Sequence, residues 1–214
     1  RLLMNYSVII LCAGRGSRTG LKYNKIFHLL EGKTVYQRSL ELFLNDQRCK
    51  QIIVVTKKEE QADLEKLVQS SKIEYVYGGQ ERQDSVYNGL QKVNQDHVFI
   101  HDGARPYLTL ECIENLLIAL KDYRAALLMV PCKDTIKEVK EGVVVRTLKR
   151  DLLMQAQTPQ VFVTKYIKDA YQKAKDEGYM ATDDAQLFEK YENGDIKAVM
   201  GDYHNIKITT KEDL

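Results

Sequence analysis

Four cysteines, Cys12, Cys49, Cys112 and Cys132, are spread through 214 residues, and no two stand as C-x-x-C. Dispersed singles offer neither a zinc site nor a disulfide framework, so reduced thiols in a cytoplasmic protein are expected. No apolar stretch is long enough to span a bilayer and no charged-then-apolar leader is visible, so no membrane partner is expected. Excess charge is missing as well: 32 Lys and Arg against 30 Asp and Glu give a net charge of +2. A polyanion-seeking surface is excluded, and without a run of interleaved basic and aromatic residues nucleic acid is not an expected partner. No histidine has another at ligand spacing. No His/Asp set that would activate a nucleophile is found either. Repeats and low-complexity segments are absent. Met4 reads as the natural start, behind Arg1-Leu2-Leu3.

What is present is ordinary globular material, 44% hydrophobic and 29% charged, of a length that suits one α/β domain over residues 1–214. Apolar β-rich runs at Tyr6–Cys12, Gln51–Thr56, Ile73–Tyr77, His97–His101 and Ala125–Val130 predict strands. Between them, apolar spacings of three and four predict helices over Thr34–Leu44, Glu59–Gln69, Ser85–Val93 and Leu110–Asp122. This alternation argues a mostly parallel sheet with helices on both faces. The rhythm breaks after Val130. Asp134–Val139, a Glu141-Gly142 turn and Val143–Leu148 read as a two-stranded ribbon within a β-arm over residues 131–156. An isolated ribbon is barely stable in water, so a second copy of the chain is the simplest partner. Further on, helices are predicted near Thr164–Asp176 and Asp183–Tyr191, and strands at Lys197–Met200 and Asn205–Thr210.

Charge gathers at one place. The first strand runs into Leu11-Cys12-Ala13-Gly14-Arg15-Gly16-Ser17-Arg18-Thr19-Gly20, with Lys25 close behind. A Gly-rich turn after a first strand is where α/β proteins hold phosphates. The spacing Gly14-x-Gly16-x-x-Thr19 lacks the last Gly of a dinucleotide fingerprint. The second strand also ends in Lys57-Lys58, not in the acidic residue that holds a ribose. The Gly-x4-Gly-Lys-Ser/Thr pattern is absent too. Two arginines and a lysine point instead to a triphosphate, against the plain alternative of a Gly turn with solvated basic residues.

Three further segments can carry chemistry. Gly78-Gly79-Gln80-Glu81-Arg82-Gln83-Asp84-Ser85 reads as a helix entry capped by Ser85 or Asp84, or as a backbone cradle for a base or ribose. His101-Asp102-Gly103-Ala104-Arg105-Pro106 puts an Asp where a strand leaves the sheet, placed to hold Mg2+ or a substrate hydroxyl, or simply braced by Arg105. His101 reads as a packed strand residue. Thr182-Asp183-Asp184-Ala185 is first of all a helix start, with Thr182 as cap. Lys207 either lies exposed or reaches back over the first loop.

In order along nearly the whole chain stand A-G-R-G-S-R…K, G-G-Q-E-R-Q-D-S-V-Y-N-G-L, H-D-G-A-R-P, D-T-I-K, Q-T-P-Q-V-F, T-D-D-A and N-I-K-I-T-T-K-E-D-L. The set resembles the 2-C-methyl-D-erythritol 4-phosphate cytidylyltransferases of the non-mevalonate isoprenoid pathway. The resemblance implies a Rossmann-like nucleotide-diphosphosugar transferase fold, α/β with a mixed, mostly parallel sheet, and an arm that interlocks a homodimer. It implies CTP and methylerythritol phosphate as substrates, with Mg2+ as cofactor and Asp102 as its ligand. By position, Arg18, Lys25 and Lys207 are the catalytic cations. Ala13, Gly14, Arg15, Gly16, Gly79, Gln80, Arg82, Ser85 and Gly103 hold CTP. Asp102, Arg105 and Thr158 face the methylerythritol phosphate, and Thr135 and Arg150 reach the partner subunit's site.

Two departures accompany the likeness. Relatives have proline before the loop lysine; here Asn24 precedes Lys25, which predicts a looser loop. Relatives also run on into a final helix beyond Glu212-Asp213-Leu214. The chemistry implied is attack of a phosphate monoester on the α-phosphorus of CTP. A monoester is largely dianionic at pH 7, with a second pKa of about 6, so no general base is required. Ribitol-phosphate cytidylyltransferases share N-x-K-I-T-T and Q-T-P-Q but read H-D-S-V-R-P where this chain has H-D-G-A-R-P. They remain the nearest alternative. A nucleotide-binding protein without turnover is the alternative of another class.

Overall fold

The computed structural model describes residues 4–14 and 19–214. In chain order its elements are β1 (Tyr6–Leu11), β2 (Leu29–Leu30), β3 (Lys33–Thr34), α1 (Val35–Asn45), β4 (Cys49–Thr56), α2 (Gln61–Leu67), β5 (Ile73–Tyr77), α3 (Arg82–Leu90), β6 (His97–Asp102), α4 (Leu110–Ala119), β7 (Ala125–Pro131), β8 (Lys137–Lys140), β9 (Val143–Thr147), β10 (Met154–Val163), α5 (Thr164–Glu177), α6 (Asp184–Tyr191) and β11 (Ile196–Met200). The main sheet has seven strands in the order β11-β7-β10-β6-β1-β4-β5. All neighbouring pairs are parallel except those of β10, which runs antiparallel to both β6 and β7.

Strand alternation sends successive side chains to opposite faces, and both faces are covered. Val8, Ile10, Ile52, Val54 and Phe99 pack against α1, α2 and α4 through Leu40, Phe43, Leu64, Ile113 and Leu116. Ile9, Ile53, Val55, Val98 and Ile100 pack against α3, α5 and α6 through Val86, Leu90, Ile167, Ala170 and Phe188. Chain order moves outward from β1 through β4 to β5 and then returns to β6 on its other side. That reversal opens a crevice at the carboxyl end of β1, where α/β sheets bind ligands.

The expected parallel sheet and two helical layers are present, with local corrections. Gln157–Gln160 belongs to β10, a strand that the polar sequence does not announce. Its pairing with β7 breaks between Ala156 and Gln160, so Pro159, which has no N–H, stands where the ladder is already interrupted. Asn205–Thr210 is not a strand: Ile208 bonds back to the Ala104 carbonyl at 2.9 Å instead of joining the sheet. Helix α3 begins at Arg82, behind Glu81, and not at Ser85. Asp183, not Thr182, caps α6, accepting from the Gln186 N–H at 2.9 Å. The ribbon is as expected: β8 and β9 pair antiparallel, apart from the main sheet. Glu141 and Gly142 turn it with φ of 50° and 79°, the left-handed pair that matches strand twist.

Candidate functional site

A cleft of about 720 Å³ opens at the carboxyl ends of β1, β4, β5 and β6. One wall is Cys12–Gly14 and Asn24–Ile26; another is Gly78–Arg82 and Ser85; Asp102, Lys207 and Thr209 close it. The Gly78-Gly79 pair is required by packing. A Cβ on Gly79 would stand 2.4 Å from Asp84 Cβ, and the Gly79 N–H instead donates to Ser85 Oγ at 3.1 Å. Ser85 is therefore the polar hinge between this loop and α3, not its cap.

Asp102 ends β6 and is the centre of charge. Its Oδ1 lies 3.3 Å from Arg82 Nε; its Oδ2 lies 3.4 Å from Arg105 Nε and 3.7 Å from Lys207 Nζ. Burial alone would raise its pKa, but Arg82, and then Lys207 and Arg105, hold the carboxyl well below the usual range. Three cations converge on one carboxylate, which leaves positive charge over for an incoming anion. Lys207 is the farthest of the three and, with 35% of its side chain exposed, the most open. It is the cation best placed to turn toward a phosphate.

The backing of Asp102 is neutral. Its N–H donates to Thr158 Oγ1 at 3.0 Å, and Thr158 Oγ1 lies 2.9 Å from His101 Nδ1. The Arg105 carbonyl, 3.2 Å from Nε2, can only accept, so His101 Nε2–H donates to it and the neutral ring's Nδ1 accepts the Thr158 hydroxyl proton. Burial, only partly opposed by Asp102, pushes the His101 pKa down to about 4. The packed, hydrogen-bonded strand histidine expected from sequence is what is found.

Lys207 sits on an irregular segment that needs outside anchors. Asn205 Nδ2 donates to the Thr158 carbonyl at 2.9 Å, and Arg105 donates to the Asn205 carbonyl at 2.7 Å. Ile208 is fully buried. Lys207 is thus held between two buried neighbours.

The looser loop expected from Asn24 is not what its bonding gives. Asn24 has φ −60° and ψ 128°, values a proline could hold. Its amide nitrogen donates to the Cys12 carbonyl at 2.9 Å and to Glu60 Oε1 at 3.1 Å, and its oxygen accepts from Ile26 N at 3.3 Å.

Of the residues expected at a site, Ala13, Gly14, Lys25, Gly79, Gln80, Arg82, Ser85, Asp102 and Lys207 line this one cleft. Gly103, Arg105 and Thr158 stand behind it and hold Asp102. Arg82 faces two carboxylates, since its two terminal nitrogens each lie 3.1 Å from Asp184. Arg15, Gly16 and Arg18 lie outside the described residues. Thr135 and Arg150 are exposed on the arm and are not cleft residues of their own chain; Arg150 donates to the Lys133 carbonyl at 2.9 Å. Lys57, Lys58 and Tyr77 line the cleft without having been expected there. The two lysines were legible as a basic end to the second strand, but they served only to reject a dinucleotide.

Asp102 does not suit a divalent cation as its ligand. Both of its oxygens face cationic side chains. The expectation of a metal on Asp102 is set aside on that ground.

Residues 6–214 match the family model described as 2-C-methyl-D-erythritol 4-phosphate cytidylyltransferase. The protein of that name from Bacillus mycoides (strain KBAB4) is 42% identical over 214 residues, covering 98% of this chain and 94% of that protein. The one from Geobacillus kaustophilus (strain HTA426) is 43% identical over 216 residues, covering 99% and 94%. Among solved structures, the 4-diphosphocytidyl-2C-methyl-D-erythritol synthase of Anaerococcus prevotii superimposes with a TM-score of 0.86 at 32% identity, over 98% of this chain and 94% of that one. A cation-lined cleft at the sheet's reversal point and a likeness that runs from β1 to the last residue lead to one assignment: the chain belongs to the 2-C-methyl-D-erythritol 4-phosphate cytidylyltransferase family.

Proposed function

We propose that the chain transfers CMP from CTP to 2-C-methyl-D-erythritol 4-phosphate, releasing pyrophosphate and 4-diphosphocytidyl-2-C-methyl-D-erythritol for isoprenoid precursor synthesis. The observation that carries this reading is the convergence of Arg82, Arg105 and Lys207 on Asp102 in a cleft that Lys25 also lines. One polyanion must be brought against another, and fixed cations in one cleft answer that need.

In the step proposed, a phosphate oxygen of the polyol monoester forms a bond to the α-phosphorus of CTP. The bond from that phosphorus to the bridging oxygen of the leaving pyrophosphate breaks in line with it. No proton needs to be taken from the nucleophile, which agrees with a neutral, inward-bonded His101. Lys25 serves the triphosphate from the first loop, together with Arg18. Lys207, steadied by Asn205 and Ile208, serves the acceptor phosphate, with Asp102 and Arg105 fixing its position. Lysine supplies a point charge to an oxygen whose charge changes during the step. Backbone at Ala13–Gly14 and Gly79 leaves room for the nucleotide. Magnesium belongs to the proposal as a companion of the triphosphate oxygens, which commonly supply most of its ligands, and no step here depends on it.

A homodimer through the arm over 131–156 completes the reading, with Thr135 and Arg150 of each chain serving the other's cleft. In support, Val139, Val143, Val144, Val145 and Leu152 are all more than half exposed, an unusual apolar dressing for a ribbon in water. No helix among the described residues is long and apolar enough to cross a membrane. A cytoplasmic location is proposed on the four free cysteines. Pyrophosphate release from CTP is the test, with methylerythritol phosphate, with ribitol phosphate and with no acceptor. Release with the first alone supports the function. Release with ribitol phosphate at an equal or higher rate, or none with either, overturns it.

A further inference from the structure

The T-D-D-A segment has no role in the step above, yet it carries a charge placed where water cannot reach. Asp184 is fully buried in the first turn of α6, and its two oxygens each lie 3.1 Å from a terminal nitrogen of Arg82. The Tyr171 hydroxyl, from α5, also donates to Asp184 Oδ1. A fork of this kind is the strong form of the arginine–carboxylate pair, and the helix N-terminus adds to it. With both terminal nitrogens taken, Arg82 has its Nε edge left, and that edge meets Asp102 at 3.3 Å. Arg82 is thus a bridge between a structural carboxylate and the cleft's own.

We propose that Asp184, oriented by Tyr171, is a positioning residue that keeps Arg82 off the nucleotide and committed to Asp102, and so sets the acceptor-phosphate subsite. The inference rests on the function proposed above. Arg82 lines the cleft and carries a guanidinium suited to phosphate. Released from Asp184, it would compete for the triphosphate or turn both terminal nitrogens onto Asp102. Either move disturbs how Asp102 shares itself between Arg105 and Lys207. Burial would lower the Arg82 pKa, but Asp184, and then Asp102, raise it well above its ordinary value; Arg82 stays charged throughout. Counting charges, Asp102 and Asp184 against Arg82, Arg105 and Lys207 leave +1. Removing Asp184's charge makes that +2 and moves the excess toward Arg82, away from Lys207.

The test is calorimetric binding of methylerythritol phosphate and, separately, of CTP to the full chain. In Asp184→Asn the dissociation constant for methylerythritol phosphate should rise about tenfold, the scale of one hydrogen bond to a charged group. CTP should bind as before or more tightly, because a freed Arg82 can reach it. Tyr171→Phe, which keeps every charge, should weaken methylerythritol phosphate about threefold in the same direction. It also serves if the asparagine variant does not fold. Unchanged binding of methylerythritol phosphate in both folded variants overturns the proposal, as does an equal loss for both ligands. Pyrophosphate release by the unaltered chain is read separately. A chain that turns over normally while its variants bind normally keeps the function and loses this inference.

Discussion

Asn24 and Cys12 are joined by a hydrogen bond of 2.9 Å, from the asparagine side-chain amide to the carbonyl oxygen just beyond β1. It ties the residue before Lys25 to the end of the central strand, and the contact with Glu60 Oε1 at 3.1 Å ties it to the turn after β4. A proline ring would fix φ at this point; here side-chain bonds hold a proline-compatible φ of −60°. Asn24→Ala should therefore lower kcat/KM about tenfold through misplacement of Lys25, with a drop of a few degrees in Tm from the lost cap and carbonyl bonds. Asn24→Pro should recover most of that loss, because the backbone angle is restored. Steady-state kinetics of the two variants decide it: an alanine variant at full activity removes Asn24 from the positioning of Lys25.

Lys25 and Lys207 both line the cleft. Each, changed to alanine, should cost about 100-fold or more in kcat while circular dichroism and Tm stay near those of the parent chain. Lys207→Ala should act chiefly on the acceptor and Lys25→Ala on CTP. Turnover within threefold of the parent in either variant would take that lysine out of the chemistry.

His101 gives the pH dependence its sign. Its folded pKa of about 4 lies below the ordinary value of 6.5, so between those pH values the unfolded chain holds the extra proton. Stability is then full above pH 6.5 and is lost as pH falls toward 4, by at most about 3 kcal/mol from this group. His97, also lowered, mainly by burial, acts in the same direction. Asp102, held low by Arg82, Lys207 and Arg105 against its burial, adds a loss only in more acid solution. An NMR titration separates the rings. His101 titrating near 6.5 would contradict the neutral, Nε2-protonated ring bonded to Thr158.

Much of this is legible in the sequence, for a physical reason. β1, β4 and β6 are buried on both faces, so each is a short apolar run fenced by polar turns; the Lys25 loop follows one such run and Asp102 ends another, whereas Lys207 lies on an irregular segment. β10 is hidden because its polar half, Gln155–Gln160, is held by long-range partners: Gln157 by Asp202, Thr158 by Asp102 and Gln160 by Asp183. Local composition carries no trace of those bonds. Asp184 is hidden in the same way, since a buried carboxylate and a helix-start carboxylate look alike until Arg82, 102 positions away, arrives beside it. Arg82 itself was legible as a site residue but not as a bridge.

Gly103 shows how little room the strand end has. A Cβ there would stand 2.7 Å from the Leu11 carbonyl oxygen and 2.8 Å from Cys12 Sγ, while the Gly103 N–H bonds to that same oxygen at 2.9 Å. Gly103→Ala should cost about 2 kcal/mol or more of stability, because backbone on one side and a buried sulfur on the other cannot yield cheaply. Urea denaturation measures it. A variant as stable as its parent would mean that β1 and the Asp102 turn can part without penalty.

Val143, Val144 and Val145 are consecutive and all exposed, so apolar side chains point from both faces of β9. In the proposed dimer a second chain covers the ribbon, and Arg150, exposed on the arm and no lining residue of its own cleft, serves the other chain's cleft. Arg150→Ala and Lys25→Ala should each be nearly inactive alone. Mixed in equal amounts and allowed to exchange subunits, half of the dimers become heterodimers. Each heterodimer holds one cleft with an intact Lys25 and an intact Arg150 from the partner chain. About a quarter of all clefts are then complete, and activity should return to about a quarter of the parent's. Val144→Asp, which puts charge on the apolar ribbon, should shift sedimentation toward the monomer and prevent that recovery. If the mixture stays as inactive as its two components while sedimentation shows exchanged dimers, Arg150 does not act across the interface.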